Sequence, residues 1–132
     1  MILVFPKGSR KKLSRNFRAY EWDCKCGRPE CDCTYIDEDL VSKLQVKRDE
    51  WKCPISLISG YRCRAHNRSK GVGGVKHSQH IKGRAADIVV YGYSPAWVHR
   101  RCKDFNGLGL YKRLGFVHVD MRPGHKARWI GR

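Results

Sequence analysis

Acidic residues are scarce in this chain: 12 Asp and Glu stand against 28 Lys and Arg, a formal net charge of +16 over 132 residues. An excess of that size attracts polyanions. Nucleic acid and an anionic bacterial envelope satisfy it equally well, and a merely solvated basic surface is the plain alternative. Long apolar runs are also missing, and none approaches the ~20 residues of a membrane span. Met1 to Phe5 is apolar, but Pro6 and Lys7 end the run and no basic segment precedes it, so no secretory signal is expected. Repeats and low-complexity linkers are absent, which removes solenoids and tethered modules. The cysteine count is seven, and an odd number argues against a complete disulfide framework. What is there is ordinary globular material: 41% hydrophobic residues in a length that supports one modest core.

Residues 1–16 read as a basic N-terminal arm, punctuated by Lys7, Arg10, Lys11, Lys12 and Arg15, and expected as a solvated tail. Residues 17–132 read as one domain. Phe17 to Trp22 supplies aromatics to anchor its start. Cys24 to Cys33, with Gly27 and Pro29, must be a tight loop. Apolar residues at 36, 40, 41 and 44 predict a helix running to about Trp51, with Asp37 as N-cap. The alternation from Pro54 to Gly60 predicts a strand, and Tyr61 to Asn67 a turn or short helix. Gly71-Val72-Gly73-Gly74 reads as a flexible loop. Ala85 to Val90 reads as a buried strand. Ser94 and Pro95 open a helix expected to end near residues 105–107. Leu108 to Tyr111 and Phe116 to Met121 read as strands joined by a turn at Lys112 to Gly115. The pattern is α+β: a small, mainly antiparallel sheet with helices against it.

His80, Asp87 and His118 carry the chemistry. Two imidazoles and a carboxylate suit an open zinc site, with a fourth position left for water. His80 and Asp87 cannot share a metal from one helix, where seven residues span roughly 10 Å. On one strand an odd spacing would point them to opposite faces. The chain must turn between them, and Lys82-Gly83-Arg84 offers the turn. His118, on a late strand, can supply the third ligand. Asp120 shares its strand face, as i and i+2 do, and reads as a general base or as a carboxylate that fixes an imidazole. Its plainer reading is an ion pair with Arg122. His77 competes as a ligand.

The elements Ser59-Gly60-Tyr61-Arg62-Cys63, His66-Asn67, Val72-Gly73-Gly74, Ser78-Gln79-His80-Ile81-Lys82-Gly83-Arg84-Ala85-Ala86-Asp87 and Phe116-Val117-His118-Val119-Asp120 resemble the zinc D-alanyl-D-alanine carboxypeptidase family of metallopeptidases. The compact single-domain members, common in bacteriophages, are the most similar. Phe17, Glu21, the cluster Cys24, Cys26, Cys31 and Cys33, and then Ala127 and Trp129 extend the resemblance over roughly residues 16 to 129. It implies a hedgehog-like or DD-peptidase-like domain with catalytic zinc on His80, Asp87 and His118. It implies Arg62 as the arginine that anchors substrate and polarises the scissile carbonyl, which suits a guanidinium fork. Ser78 would hold the ligand loop or the substrate. The substrate would be a peptide bond in the stem or cross-link of bacterial peptidoglycan, cut by a phage-type lysin. Such a lysin is made in the host cytoplasm and acts at the wall or in the periplasm, or is carried in a virion. One departure is plain: many relatives place an acid three residues before the last zinc histidine, and here Gly115 stands there. Asp120 is then the expected base.

The departure keeps a non-catalytic zinc-binding relative open. A basic nucleic-acid-binding module is the alternative from another class. Cys24, Cys26, Cys31 and Cys33 could bind a second, structural zinc, form disulfides outside the cell, or remain free and partly buried.

Overall fold

The computed structural model describes residues 1–69, 74 and 77–131. The Gly71 to Gly73 part of the expected glycine loop lies outside these residues. Nine strands, three α-helices (the second, α2, at Arg64–Arg68) and one short 3-10 helix (Ala19–Trp22) are present among them. β1 (Ile2–Pro6) pairs antiparallel with β4 (Cys33–Asp37), and β2 (Lys12–Ser14) pairs with β3 (Phe17–Arg18). The main sheet has the order β5-β6-β8-β7-β9, from β5 (Ile55–Ser59), β6 (Ala85–Val90), β7 (Gly107–Tyr111), β8 (Phe116–Asp120) and β9 (Ala127–Ile130). All its pairs are antiparallel except β7 with β9. The expected α+β class, with a small and mainly antiparallel sheet, is therefore what the chain adopts.

Strand alternation divides the two faces of this sheet. One face carries Ile88, Val90, Leu108, Leu110, Val117 and Val119, which join a single buried cluster. Helix α1 (Glu38–Trp51) adds Leu40, Val41 and Leu44 to it, and α3 (Pro95–Arg100) adds Val98. Asp37 caps α1 by accepting from the backbone N–H groups of Asp39 and Leu40, which satisfies two donors the first turn leaves open. Ser94 does the same for α3 through Trp97. Phe17 and Trp22, 1% and 0% exposed, pack edge to face and fix the start of the domain, as their place in the sequence predicts.

The other face is polar and carries the site. Asp87, His118, Gly109 and Trp129 are successive register partners across β6, β8, β7 and β9. Ala85, Asp120, Gly107 and Ala127 form the neighbouring row. Sheet register alone thus puts Asp87 and His118 side by side.

Three expectations need correction. Residues 1–16 are not a simple solvated tail: β1 and β2 lie within them, and β1 is register-paired with β4 along its whole length. The short apolar run Ile2 to Phe5 works as an edge strand, and too little sequence surrounds it to give a period. Helix α3 ends at Arg100, several residues early, because Lys103 to Gly107 turns the chain into β7 and carries buried Phe105 into the core. β9 is a strand where the residues suggest only the motif fragment Ala127 and Trp129. Its Ala-Arg-Trp-Ile alternation is too short to stand out.

Candidate metal centre and its pocket

His80 lies in a turn held by its own backbone. The Ser78 hydroxyl accepts from His80 N–H at 3.1 Å, and Lys82 and Arg84 N–H groups both donate to the Gln79 carbonyl at 3.1 Å. Gly83, at φ 75°, completes the reversal, a conformation that costs other residues strain. A side chain there would also run into the Tyr35 backbone. The chain then enters β6 and delivers Asp87 beside His118. The turn expected between the two motif residues is therefore present, and Ser78 is placed to hold the histidine loop.

One donor atom from each of His80, Asp87 and His118 lies within 4.8 Å of the others, and all three residues are buried. His80 Nε2 is 3.3 Å from Asp87 Oδ2, and His118 Nδ1 is 3.0 Å from Asp87 Oδ1. A tetrahedral shell with bonds of ~2.0–2.1 Å separates its donors by roughly 3.3 Å, so the set fits a zinc-sized cation. A further observation points the same way. His80 Nε2 is buried with no hydrogen bond among the described residues, and it faces the other two donors. An orphaned buried nitrogen is costly unless something binds it.

The far nitrogens are also occupied. His80 Nδ1 meets the Gly60 carbonyl at 2.6 Å, and His118 Nε2 meets Asp120 Oδ2 at 2.7 Å. Each acceptor fixes its imidazole as donor on that side, leaving the inner nitrogen's lone pair free for a cation. The Gly60 carbonyl is a contact the sequence could not supply, because a backbone oxygen carries no residue signature. Gly60 itself is packed so tightly on Trp22 that a Cβ would lie 2.7 Å from the Trp22 backbone.

Burial and pairing set the charges. Burial would raise the Asp87 pKa, but the contact with His118 Nδ1 at 3.0 Å and the close approach of His80 Nε2 outweigh it and hold the carboxyl well below its usual range. Burial pushes the His80 pKa down, against the opposing pull of Asp87, and so favours the neutral ring. Burial works against charge on His118 as well, yet Asp120 and Asp87 on its two sides raise it.

Asp120 is fully buried, and its two readings separate here. Its oxygens take His118 Nε2, the Arg122 N–H at 3.0 Å and the Arg122 guanidinium at 2.9 and 2.7 Å. Burial raises its pKa, but these bonds win and depress it strongly. It does not line the cavity in front of the three donors, which is about 550 Å³ in volume. The geometry favours the carboxylate that orients His118 over the expected base. The ion pair with Arg122 is present as well. Gly115 explains the missing acid at that position: it closes the β7–β8 turn at φ 83°, where an Asp or Glu would be strained.

Arg62, Ser78, Tyr111, Arg122 and Trp129 line the cavity beside the three donors. Arg62 is half-buried, and its Nε has no partner among the described residues. Burial lowers its pKa while Asp87 opposes that. Its backbone N–H donates to the His80 carbonyl at 3.1 Å, which joins the two motifs. The Trp129 ring leans on His118 at 5.0 Å and donates to the Tyr111 hydroxyl at 2.8 Å. His77, the competing ligand, is exposed on the cavity wall and outside the three-donor group.

A second cluster differs from the one expected. Cys24, Cys26 and Cys31 gather with Cys63 and not with Cys33. Cys33 opens β4 as the register partner of Pro6. Cys63 arrives from 32 residues beyond Cys31, a distance that hides it from any local spacing rule.

An α+β domain whose sheet presents an imidazole and a carboxylate to an open cavity, with a second imidazole from the turn before β6, has the layout of a metal-dependent hydrolase. The chain belongs to the peptidase M15 family, which matches residues 15–120. It is 36% identical over 75 residues to the peptidoglycan L,D-endopeptidase MepK of Escherichia coli (strain K12), covering 53% of this chain and 41% of that protein. It is 31% identical over 96 residues to the probable peptidoglycan L,D-endopeptidase MepK of Haemophilus influenzae, covering 67% of this chain and 52% of that protein. The chain thus spans about half the length, or less, of the curated relatives it matches. No solved structure matches it. The family resemblance read from the motifs is borne out.

Proposed function

We propose that this domain is a zinc peptidase that hydrolyses a peptide bond in bacterial peptidoglycan, and that the bond is of the L,D-endopeptidase type. The observation that carries the reading is the orphaned His80 Nε2 facing Asp87 and His118 at the floor of the cavity. The names of the relatives supply the substrate class and favour an endopeptidase over a carboxypeptidase.

His80, Asp87 and His118 would hold the zinc. When bound, it supplies a Lewis acid for the scissile carbonyl and a lowered pKa for water. The protein's own groups do the rest. Gly60 and Asp120 keep the two imidazoles in the tautomers that binding needs. Arg62 lines the cavity beside the three donors, where its guanidinium can take a stem-peptide carboxylate or the developing oxyanion. Ser78 holds the His80 turn, and Trp129 walls the His118 side against water. The +16 charge draws the domain to an anionic wall. No helix among the described residues is long and apolar enough to cross a membrane. We infer a phage-type lysin as the setting, on the strength of the motif resemblance.

The Gly115 departure supports a second reading, a zinc-binding relative that holds peptide without cutting it. One assay separates them. Purified protein is incubated with peptidoglycan, with and without chelator, and the fragments are analysed by mass spectrometry. Chelator-sensitive release of stem peptides is expected, and their masses identify the bond. Binding without release by folded, zinc-loaded protein supports the second reading and refutes the first. Salt-sensitive DNA binding without hydrolysis would favour the nucleic-acid alternative.

A further inference from the structure

The segment from Cys24 to Asp32 forms no strand or helix and contains no large aliphatic or aromatic side chain. It is nonetheless fixed in place, with Cys24 and Cys31 buried. Its interior consists of sulfur. Cys24, Cys26, Cys31 and Cys63 each bring a sulfur within 4.8 Å of the other three.

The spacing matches a cation and not a covalent bond. Cys24 Sγ and Cys63 Sγ are 3.7 Å apart. A tetrahedral shell with zinc–sulfur bonds of ~2.3 Å places its sulfurs about 3.8 Å apart. A disulfide needs ~2.05 Å, and all seven cysteines are free. Backbone donors surround the sulfurs as well. Cys63 N–H donates to Cys24 at 3.3 Å, Arg28 N–H to Cys26 at 3.4 Å and His66 N–H to Cys63 at 3.4 Å. Such donors favour the thiolate, which is the form that binds metal. The Lys7 ammonium lies 3.9 Å from Cys26 and offsets part of the negative charge.

We propose that Cys24, Cys26, Cys31 and Cys63 hold a structural zinc ion, which staples the 24–31 segment to the corner from Gly60 to Cys63. The ion sits one residue from Arg62. The same corner carries the Gly60 carbonyl that meets His80, and Tyr61 N–H donates to the Trp22 carbonyl at 2.8 Å. The thiolate site is therefore a positioning device for Arg62 and His80. That consequence rests on the peptidase reading, whereas the metal site itself does not.

Metal content and cobalt spectroscopy of the whole chain test the proposal. Two zinc ions per chain are expected. Cobalt-substituted protein should show thiolate-to-cobalt charge transfer and strong tetrahedral visible bands. His118→Ala should lose one ion and keep the sulfur band, while Cys63→Ser should lose the band. Cys33→Ser should keep both ions. Where Cys63→Ser does not fold, the wild-type spectrum and the release of one zinc by a thiol-blocking mercurial decide. Absence of the sulfur band in cobalt-loaded wild type overturns the proposal. Its loss in Cys33→Ser, or fewer than seven titratable thiols in denatured protein, does so too. Two ions and an intact sulfur band without any hydrolysis would instead sink the peptidase reading and leave this one standing.

Discussion

The histidine–carboxylate group and the cysteine group meet at the same corner of the fold and are built in opposite ways. The first is made of borderline donors, is backed by Gly60 and Asp120, and faces a cavity of about 550 Å³. The second is made of soft donors from four positions and is backed by backbone N–H groups. Three protein ligands with an open side suit chemistry, and four with none suit structure. The difference lies in where each cluster sits. The first lies on the sheet, whose register delivers Asp87 and His118 rigidly. The second lies in a loop that has little else to hold it.

Substitutions in the two groups should have opposite consequences. Removing a ligand from the open group should cost most in activity and least in fold: Asp87→Ala should reduce peptidoglycan release to background while far-ultraviolet circular dichroism is unchanged. Removing a thiolate should act in the reverse order, lowering the melting temperature by about 10 °C or more, since a few kcal/mol moves Tm that far in a domain of this size. Calorimetry of Cys24→Ser checks this, and an unchanged Tm would erase the distinction.

Smaller effects should follow from the supporting residues. A methyl group at position 107 would overlap the Asp120 carboxylate, so Gly107→Ala should cost about 1–3 kcal/mol in denaturant titration and loosen His118. Asp120→Asn should lower zinc affinity or activity by about 10- to 100-fold, as loss of an orienting carboxylate does. The acid-side limb of its pH–rate profile should not change, since that is where a carboxylate base would titrate. Loss of an ionisation there would restore Asp120 as the base.

Burial opposes charge on His118, but Asp120 and Asp87 raise its pKa above the ordinary histidine value. In metal-free protein that pairing stabilises the fold below the unfolded histidine pKa and is lost as pH rises through the raised one. Asp87 and Asp120 are depressed, so their contribution is present above the ordinary carboxylate range and is lost as pH falls. A cation at His118 Nδ1 competes with any proton the raised pKa holds there. Titration calorimetry in buffers of different ionisation enthalpy should therefore show proton release that fades as pH rises.

Much of this was legible in the residues. The strand at Ala85 to Val90 and the helix capped by Asp37 were both marked by period and punctuation. The three donors were marked by spacing that only a turn could reconcile, and Gly83 supplies that turn. What the residues hid is non-local or unsigned. Cys63 joins the thiols from a distant motif, and the Gly60 carbonyl has no side chain to announce it. β1 is held by β4, whose residues lie far along the chain (Ile2 opposite Asp37, Pro6 opposite Cys33), and its own five residues carry no period. Asp120 was visible as a site residue, but its role depends on Arg122 folding back onto it, which strand spacing allows and does not dictate.

Anomalous X-ray diffraction at the zinc edge, on crystals of the purified chain, tests the account most directly. Two peaks are predicted, one among His80 Nε2, Asp87 and His118 Nδ1 on the cavity floor and one among the sulfurs of Cys24, Cys26, Cys31 and Cys63. Zinc-replete crystals with no peak at the first position would contradict the claim that this domain is a zinc peptidase.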